Sequence, residues 1–141
     1  MAGRIARDFQ AFVRLPQRQR ALLLRAAMAL LLARLRLALF PASSVCRSRS
    51  VAGLGRGEVT PHEAAWAVQA VARRLPGTRC LARSLALVDL LRSSAHDLQI
   101  RFGVTPGAGG AIEAHAWVTC DGVTLEPQSA ARYAQLLPAR P

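Results

Sequence analysis

Two residues of the chain could form a nucleophile and its base. Cys80 follows the helix-stopping run Leu75-Pro76-Gly77, and His115 lies thirty-five residues later in an alternating segment. A thiol attacks a carbonyl only as its thiolate, which the positive end of a helix dipole and a neighbouring imidazolium both stabilise. The pair therefore predicts cysteine nucleophile chemistry, provided that the fold brings the two segments together.

The sequence around Cys80 predicts a helix that begins at Thr78 or Arg79 and ends near Arg92. Cys80 then lies in its first turn, where unpaired backbone N–H groups point outward and could also bind a developing oxyanion. The apolar residues of this segment recur at helical spacing, as expected for one buried face. They are Leu81, Leu85, Val88 and Leu91.

A second helix is predicted just before it. Thr60 can cap the helix, Pro61 suits its first position, and Glu63 can complete a capping box. This helix should end near Arg74, because Leu75-Pro76-Gly77 stops it.

After Asp97 the pattern changes to that of an antiparallel sheet. Strands are predicted over residues 98–104, 111–120 and 123–126, with a flexible loop at 106–110 and a two-residue turn at Asp121-Gly122. A last short helix is predicted over 130–137. His96 stands at a helix end, where the helix dipole explains a histidine without any function.

The two-residue turn fixes which side chains share a face of this hairpin. The expected pairs are Cys120 with Val123, Trp117 with Glu126 and His115 with Gln128. Because side chains alternate along a strand, His115, Glu126 and Gln128 lie on one face and Cys120 on the other. Glu126 is then a diagonal neighbour of His115 and could orient its imidazole. Asp121 at the turn tip, Gln128, or no acid at all are the alternatives.

The N-terminal part, residues 1–57, is predicted to be an Arg/Leu-rich helical segment and loop. Helix is expected from about Ile5 to Phe40 with a break at Leu15-Pro16, followed by a loop over 41–57. In residues 21–40, nine Leu at about −0.5 kcal/mol each oppose three Arg at about +2.5 to +3.5 kcal/mol each, so membrane insertion is unfavourable. The helix must still bury its apolar surface, on its own domain, on a partner protein or at a lipid interface.

Charge and cysteine content exclude some classes of protein. Residues 1–56 hold eleven Arg against one acid, and the rest of the 141-residue chain holds eight Arg against seven acids. A basic module that binds nucleic acid or membrane is one hypothesis, although no aromatic platform interleaves the arginines. The three cysteines form no CxxC pair, so neither a disulfide framework nor a thiolate zinc site is indicated, and a reducing, cytoplasmic location is expected.

Two sequence blocks carry a resemblance to a known family. Pro76-Gly77-Thr78-Arg79-Cys80-Leu81-Ala82-Arg83-Ser84-Leu85, followed by Ala114-His115-Ala116-Trp117-Val118 and Asp121-Gly122, resembles the leader peptidase of lasso-peptide biosynthesis. The chain looks like the stand-alone peptidase half of a split system. The similarity runs from about Thr60 to Glu126.

The resemblance implies an α+β fold in which N-terminal helices precede a papain- or transglutaminase-like core, here residues 58–141. It also implies a Cys-His-acid triad in which Cys80 is the nucleophile and His115 the base. The family acid is usually Asp on the strand after the hairpin, whereas this chain has Glu126-Pro127 there.

The implied reaction is cleavage of a ribosomal precursor between leader and core, with neither a cofactor nor a metal. The implied partners are the precursor, a leader-binding protein and the ATP-dependent macrolactam synthetase, with no nucleic acid. Peripheral membrane contact through residues 16–40 is a further hypothesis. Acyl transfer to an amine on the same triad is the alternative activity.

Overall fold

The computed structural model describes residues 2–47, 58–92, 96–126 and 131–136. Five helices and four strands lie in these ranges, together with a 3₁₀ turn at Ala108–Gly110. The helices are α1 (Ala2–Arg14), α2 (Gln17–Leu39), α3 (Ala42–Arg47), α4 (Pro61–Ala72) and α5 (Cys80–Leu91), and the strands are β1 (Leu98–Pro106), β2 (Ile112–Cys120), β3 (Val123–Thr124) and β4 (Ala134–Gln135).

The N-terminal helices break where the sequence predicts. Pro16 has extended backbone angles, φ −55° and ψ 147°, and separates α1 from α2. The predicted loop over 41–57 is wrong in its first part, because residues 42–47 form α3. The N–H groups of Ser44 and Val45 bond to the carbonyl of Pro41, which starts this turn. The remainder of that loop, including the predicted domain boundary at residues 57 and 58, lies largely outside the described residues.

The start of α4 has the predicted capping box. The Thr60 hydroxyl accepts a hydrogen bond from the Glu63 N–H at 3.2 Å, and the Glu63 carboxylate accepts one from the Thr60 N–H at 3.0 Å. Pro61 occupies the first helical position. The Thr60 N–H and the Thr60 hydroxyl both donate to the Glu63 carboxylate, which lowers the pKa of Glu63 because these bonds favour its charged form.

The main core lies where α2, α4 and α5 meet one face of the sheet. Small residues of α2 and α4 let the helices approach closely, and larger aliphatic residues of α5 fill the space toward β2. The fully enclosed members include Ala26, Ala29, Leu30, Ala64, Ala67, Val68, Ala86, Leu87, Leu90, Leu91 and Val118. An ion pair between Arg36 and the buried Asp89, 3.6 Å apart, also joins α2 to α5.

The four strands form an antiparallel sheet in the order β3-β2-β1-β4. β1 and β2 pair over their whole length, from Leu98 opposite Cys120 to Pro106 opposite Ile112. The predicted helix over 130–137 is wrong within its described part, because residues 134 and 135 pair with the outer edge of β1. The Leu136 N–H also donates to the Phe102 carbonyl at 2.8 Å. Pairing with a free strand edge therefore overrides the local helical pattern.

The architecture is α+β, as predicted. No helix among the described residues is both long and apolar enough to cross a membrane, in agreement with the arginines that interrupt the leucine runs of α2.

Candidate active site

Cys80 is the first residue of α5, as the sequence predicts. Gly77, at φ +73°, turns the chain after α4, and the Thr78 hydroxyl donates to the Leu75 carbonyl at 2.8 Å. Arg79 caps α5 with extended backbone and without a side-chain hydrogen bond. The thiol is half-buried and lies at the positive end of the helix dipole, where negative charge is stabilised.

His115 is a buried residue of β2, 8% exposed, and two aromatic rings contact it. Its ring stacks on Tyr133 at a centroid distance of 4.8 Å and lies 6.0 Å from Trp117. Its partner across the β1–β2 ladder is Gly103. A Cβ at Gly103 would come within 2.8 Å of the Trp117 ring and 2.9 Å of Tyr133. The absence of a side chain at Gly103 therefore leaves space for the rings that hold the imidazole.

The surroundings of His115 favour the neutral imidazole. Burial lowers the pKa of His115 below its ordinary value of 6.5, the Arg83 charge lowers it further, and the Glu126 charge raises it. Nε2 of His115 is buried and has no hydrogen-bond partner in the described structure. A neutral ring with one unsatisfied nitrogen can act as a base.

Glu126 lies just beyond β3, which is shorter than the predicted strand 123–126: β3 ends at Thr124, and residues 125 and 126 form a bend. Cys120 pairs with Val123 as predicted, and the Leu125 N–H donates to the Val118 carbonyl at 3.0 Å. The β2–β3 ladder covers only Thr119 with Thr124 and Cys120 with Val123, so the predicted pair of Trp117 with Glu126 is not part of it. The charge of Glu126 raises the pKa of His115, so this carboxylate is within electrostatic reach of the imidazole. Gln128, the other candidate on this face, lies outside the described residues.

Asp121 directly follows Cys120, the last residue of β2, and its carboxylate contacts groups other than His115. Its carboxylate accepts the Asp97 N–H at 2.8 Å and lies 2.6 Å from Nδ1 of His96. Six residues of extended strand, roughly 20 Å, separate it from His115. The structure therefore does not bring Asp121 to the imidazole.

α5 packs against β2 and β1 of the sheet. Leu90 and Leu91 near its end cluster with Val118, Leu98 and Ile100, and Leu81 and Leu85 near its start also pack near Ile100. Because side chains alternate along a strand, Val118 and His115 lie on opposite faces of β2, so these contacts do not by themselves bring Cys80 to His115. Nε2 of His115 has no hydrogen-bond partner among the described residues, so the Cys80 thiol does not donate to this nitrogen in this structure. Such bonds often form only with substrate.

Two further groups emerge from the structure. The charge of Arg83 lowers the pKa of His115. Arg83 is three residues after Cys80, and this i+3 spacing, which places both side chains on one side of the helix, can be read from the sequence. His96, Cys120 and Asp121 also lie together. Their proximity depends on the β1–β2 register, which places Leu98 opposite Cys120 and so brings the residues before β1 beside the turn.

Comparison with known proteins gives one family. Residues 20–138 match the model described as the transglutaminase-like superfamily. No curated protein and no solved structure gave a significant match.

Proposed function

Because the chain belongs to the transglutaminase-like superfamily, a family that fits a cysteine peptidase or an acyltransferase, we propose that it is a cysteine peptidase. Its substrate in this proposal is a ribosomal lasso-peptide precursor, from which it removes the leader. The observation that carries the proposal is the placement of Cys80 in the first turn of α5, which packs on the strand that bears the buried base His115.

In the proposed mechanism His115 takes the thiol proton, and Cys80 attacks the carbonyl at the leader–core junction. His115 then protonates the departing amine, which is the free core amine, and water hydrolyses the acyl-enzyme. Glu126 holds the imidazole and stabilises its protonated form. The Cys80 N–H is the first candidate oxyanion donor. We place the reaction in the reducing cytoplasm, which keeps the nucleophile as a free thiol.

The substrate class rests on the resemblance of the Cys80 and His115 blocks to lasso leader peptidases. In that setting the freed core amine passes to an ATP-dependent macrolactam synthetase. Glu126 in place of the usual Asp keeps the carboxylate but lengthens its side chain by one carbon. We therefore assign the orienting role to Glu126, on the strength of its charge effect on the pKa of His115.

The test is cleavage of the precursor peptide in the presence of the leader-binding protein, with products identified by mass. Cys80→Ala should reduce the rate at least about 1,000-fold, and Glu126→Ala should reduce it about 100-fold or more. Cys46→Ala, which removes an exposed thiol, is the matched control and should leave the rate unchanged. Cleavage by Cys80→Ala at the wild-type rate would sink the proposal.

Acyl transfer is the second candidate, because the same nucleophile and base would serve it. Adding a primary amine to the cleavage reaction separates the two activities. A hydrolysed leader as the only product supports the peptidase, whereas an amide of the leader with the added amine supports the acyltransferase.

The leader-binding partner is proposed to dock on the N-terminal helices. α1 buries none of its residues, and Ile5, Phe9 and Val13 on one side of it are at least half exposed. Leu24 and Leu31 of α2, also exposed, line an apolar cavity beneath α1 with a volume of about 510 Å³. An exposed apolar area of this kind indicates an interaction surface.

Phe9→Asp tests this docking. The variant should weaken binding of the leader-binding protein at least about 10-fold, because truncation of a central aromatic residue typically costs more than 1 kcal/mol. Val123→Asp, equally exposed but on β3, is the matched control. If Phe9→Asp binds the partner as the wild type does but no longer binds anionic vesicles, the surface serves peripheral membrane contact instead.

A further inference from the structure

The segment before β1 and the β2–β3 turn bring three different ligand types together. They are Nδ1 of His96, Sγ of Cys120 and a carboxylate oxygen of Asp121, and these atoms all lie within 4.8 Å of one another. Both Nδ1 and Sγ approach the same oxygen, Oδ2, at 2.6 Å and 3.8 Å respectively. The three side chains therefore converge on one point.

Backbone and side-chain contacts outside this point hold the group in place. Oδ1 of Asp121 accepts the Asp97 N–H at 2.8 Å, so Oδ2 is turned toward His96 and Cys120. The Asp121 N–H returns a bond to the Asp97 carbonyl at 2.9 Å. Asp97 in turn accepts from the Gln99 amide at 2.8 Å. Outer contacts of this kind orient ligands in metal sites.

We propose that His96, Cys120 and Asp121 bind one divalent transition-metal ion of the zinc class. A sulfur, a nitrogen and an oxygen donor form a mixed set that suits Zn²⁺ or Co²⁺, whereas Mg²⁺ and Ca²⁺ take oxygen ligands. Cys120 is buried while His96 and Asp121 are exposed, so an ion can reach the site from solvent. Three protein ligands leave a fourth position for water.

This site lies at the end of β2 opposite to His115, and the inference does not depend on the proposed peptidase activity. Its effect would be structural, because the ion would tie the segment before β1 to the β2–β3 turn. Binding to the folded chain alone stabilises the fold by mass action. The thiol proton passes to solvent when the thiolate binds the metal.

Titration of the full chain with Co²⁺ tests the proposal. We expect thiolate-to-cobalt absorption in the near ultraviolet and visible bands typical of a tetrahedral site, saturating at one equivalent. Zn²⁺ should displace the cobalt and raise the melting temperature.

Three single cysteine variants form the matched set. Cys120→Ser should abolish the cobalt bands, whereas Cys46→Ser and Cys80→Ala should retain them. Since Cys120 is buried and its replacement could disturb folding, His96→Ala is the second variant, and removal of this exposed ligand should weaken zinc binding at least about 10-fold.

The absence of cobalt bands in the wild-type chain, or their persistence in both Cys120→Ser and His96→Ala, would overturn the proposal. In that case the three side chains bind only one another: His96 and Asp121 form an ion pair, and the Cys120 thiol donates to the Asp121 carboxylate. If Cys80→Ala no longer cleaves the precursor but binds cobalt as the wild type does, the metal site is separate from the active site.

Discussion

A positive and a negative side chain, Arg83 and Glu126, have opposite effects on the pKa of His115. Burial and Arg83 lower its pKa, while Glu126 raises it. Because the folded chain takes up this proton at a lower pH than the unfolded chain, protonation of His115 opposes folding. The contribution of neutral His115 to the free energy of unfolding is fully present above pH 6.5 and declines as the pH falls below that value.

Single charge removals should move this pKa in opposite directions. Glu126→Gln should lower the pKa of His115, and Arg83→Gln should raise it, since each removes one of the two opposing charges. The imidazole proton signals in an NMR pH titration measure both shifts. Glu113→Gln, on the same strand and face, is the control and should leave the titration of His115 in place. Equal pKa values in wild type and Glu126→Gln would mean that Glu126 does not face the ring.

At the scale of the elements, Gly103 determines how closely β1 can approach the aromatic rings. It is buried in the middle of β1, opposite His115. Trp117 and Tyr133 occupy the space that a side chain there would need. The position of the His115 imidazole thus depends on Gly103, a residue without a side chain.

Gly103→Ala should lower the free energy of unfolding by about 1–3 kcal/mol, because the added methyl group overpacks a filled space. Chemical denaturation followed by Trp fluorescence measures the change. Gly3→Ala is the control: no atom lies within 4 Å of the added Cβ, and helix propensity predicts a gain of up to about 1 kcal/mol. A Gly103→Ala variant as stable as wild type would mean that the rings move aside freely.

Local signals in the sequence were sufficient for the elements that depend on near neighbours. The capping box at Thr60 and the turn at Asp121-Gly122 each involve residues within a few positions of one another, so the start of α4 and the pairing of Cys120 with Val123 could be predicted. β4 could not, because its partner is the edge of β1 some thirty residues away. The His96–Asp121 contact was missed for the same reason: it depends on the length of the β1–β2 hairpin.

At the scale of the whole molecule, α2 belongs to the same core as α5 and β2, the elements that carry Cys80 and His115. Leu22, Ala26, Ala29 and Leu30 of α2 pack with α4, α5 and β2. The family match begins at residue 20, inside this helix. α1, by contrast, buries no residue, and its Asp8 forms an exposed ion pair at 3.2 Å with Arg74, which follows α4. The two N-terminal helices therefore differ in what they contribute to stability.

Two truncations should separate these contributions. A chain of residues 16–141 should unfold cooperatively at nearly the wild-type temperature, because an exposed ion pair contributes about 1 kcal/mol or less. A chain of residues 58–141 should lack cooperative unfolding. It loses two buried leucines at about 1.5–3 kcal/mol each and the cation that pairs with Asp89, at about 3–5 kcal/mol, and these losses approach the whole stability of a typical domain. Circular dichroism melts measure both chains. A cooperative transition in residues 58–141 would instead establish that segment as an independent domain.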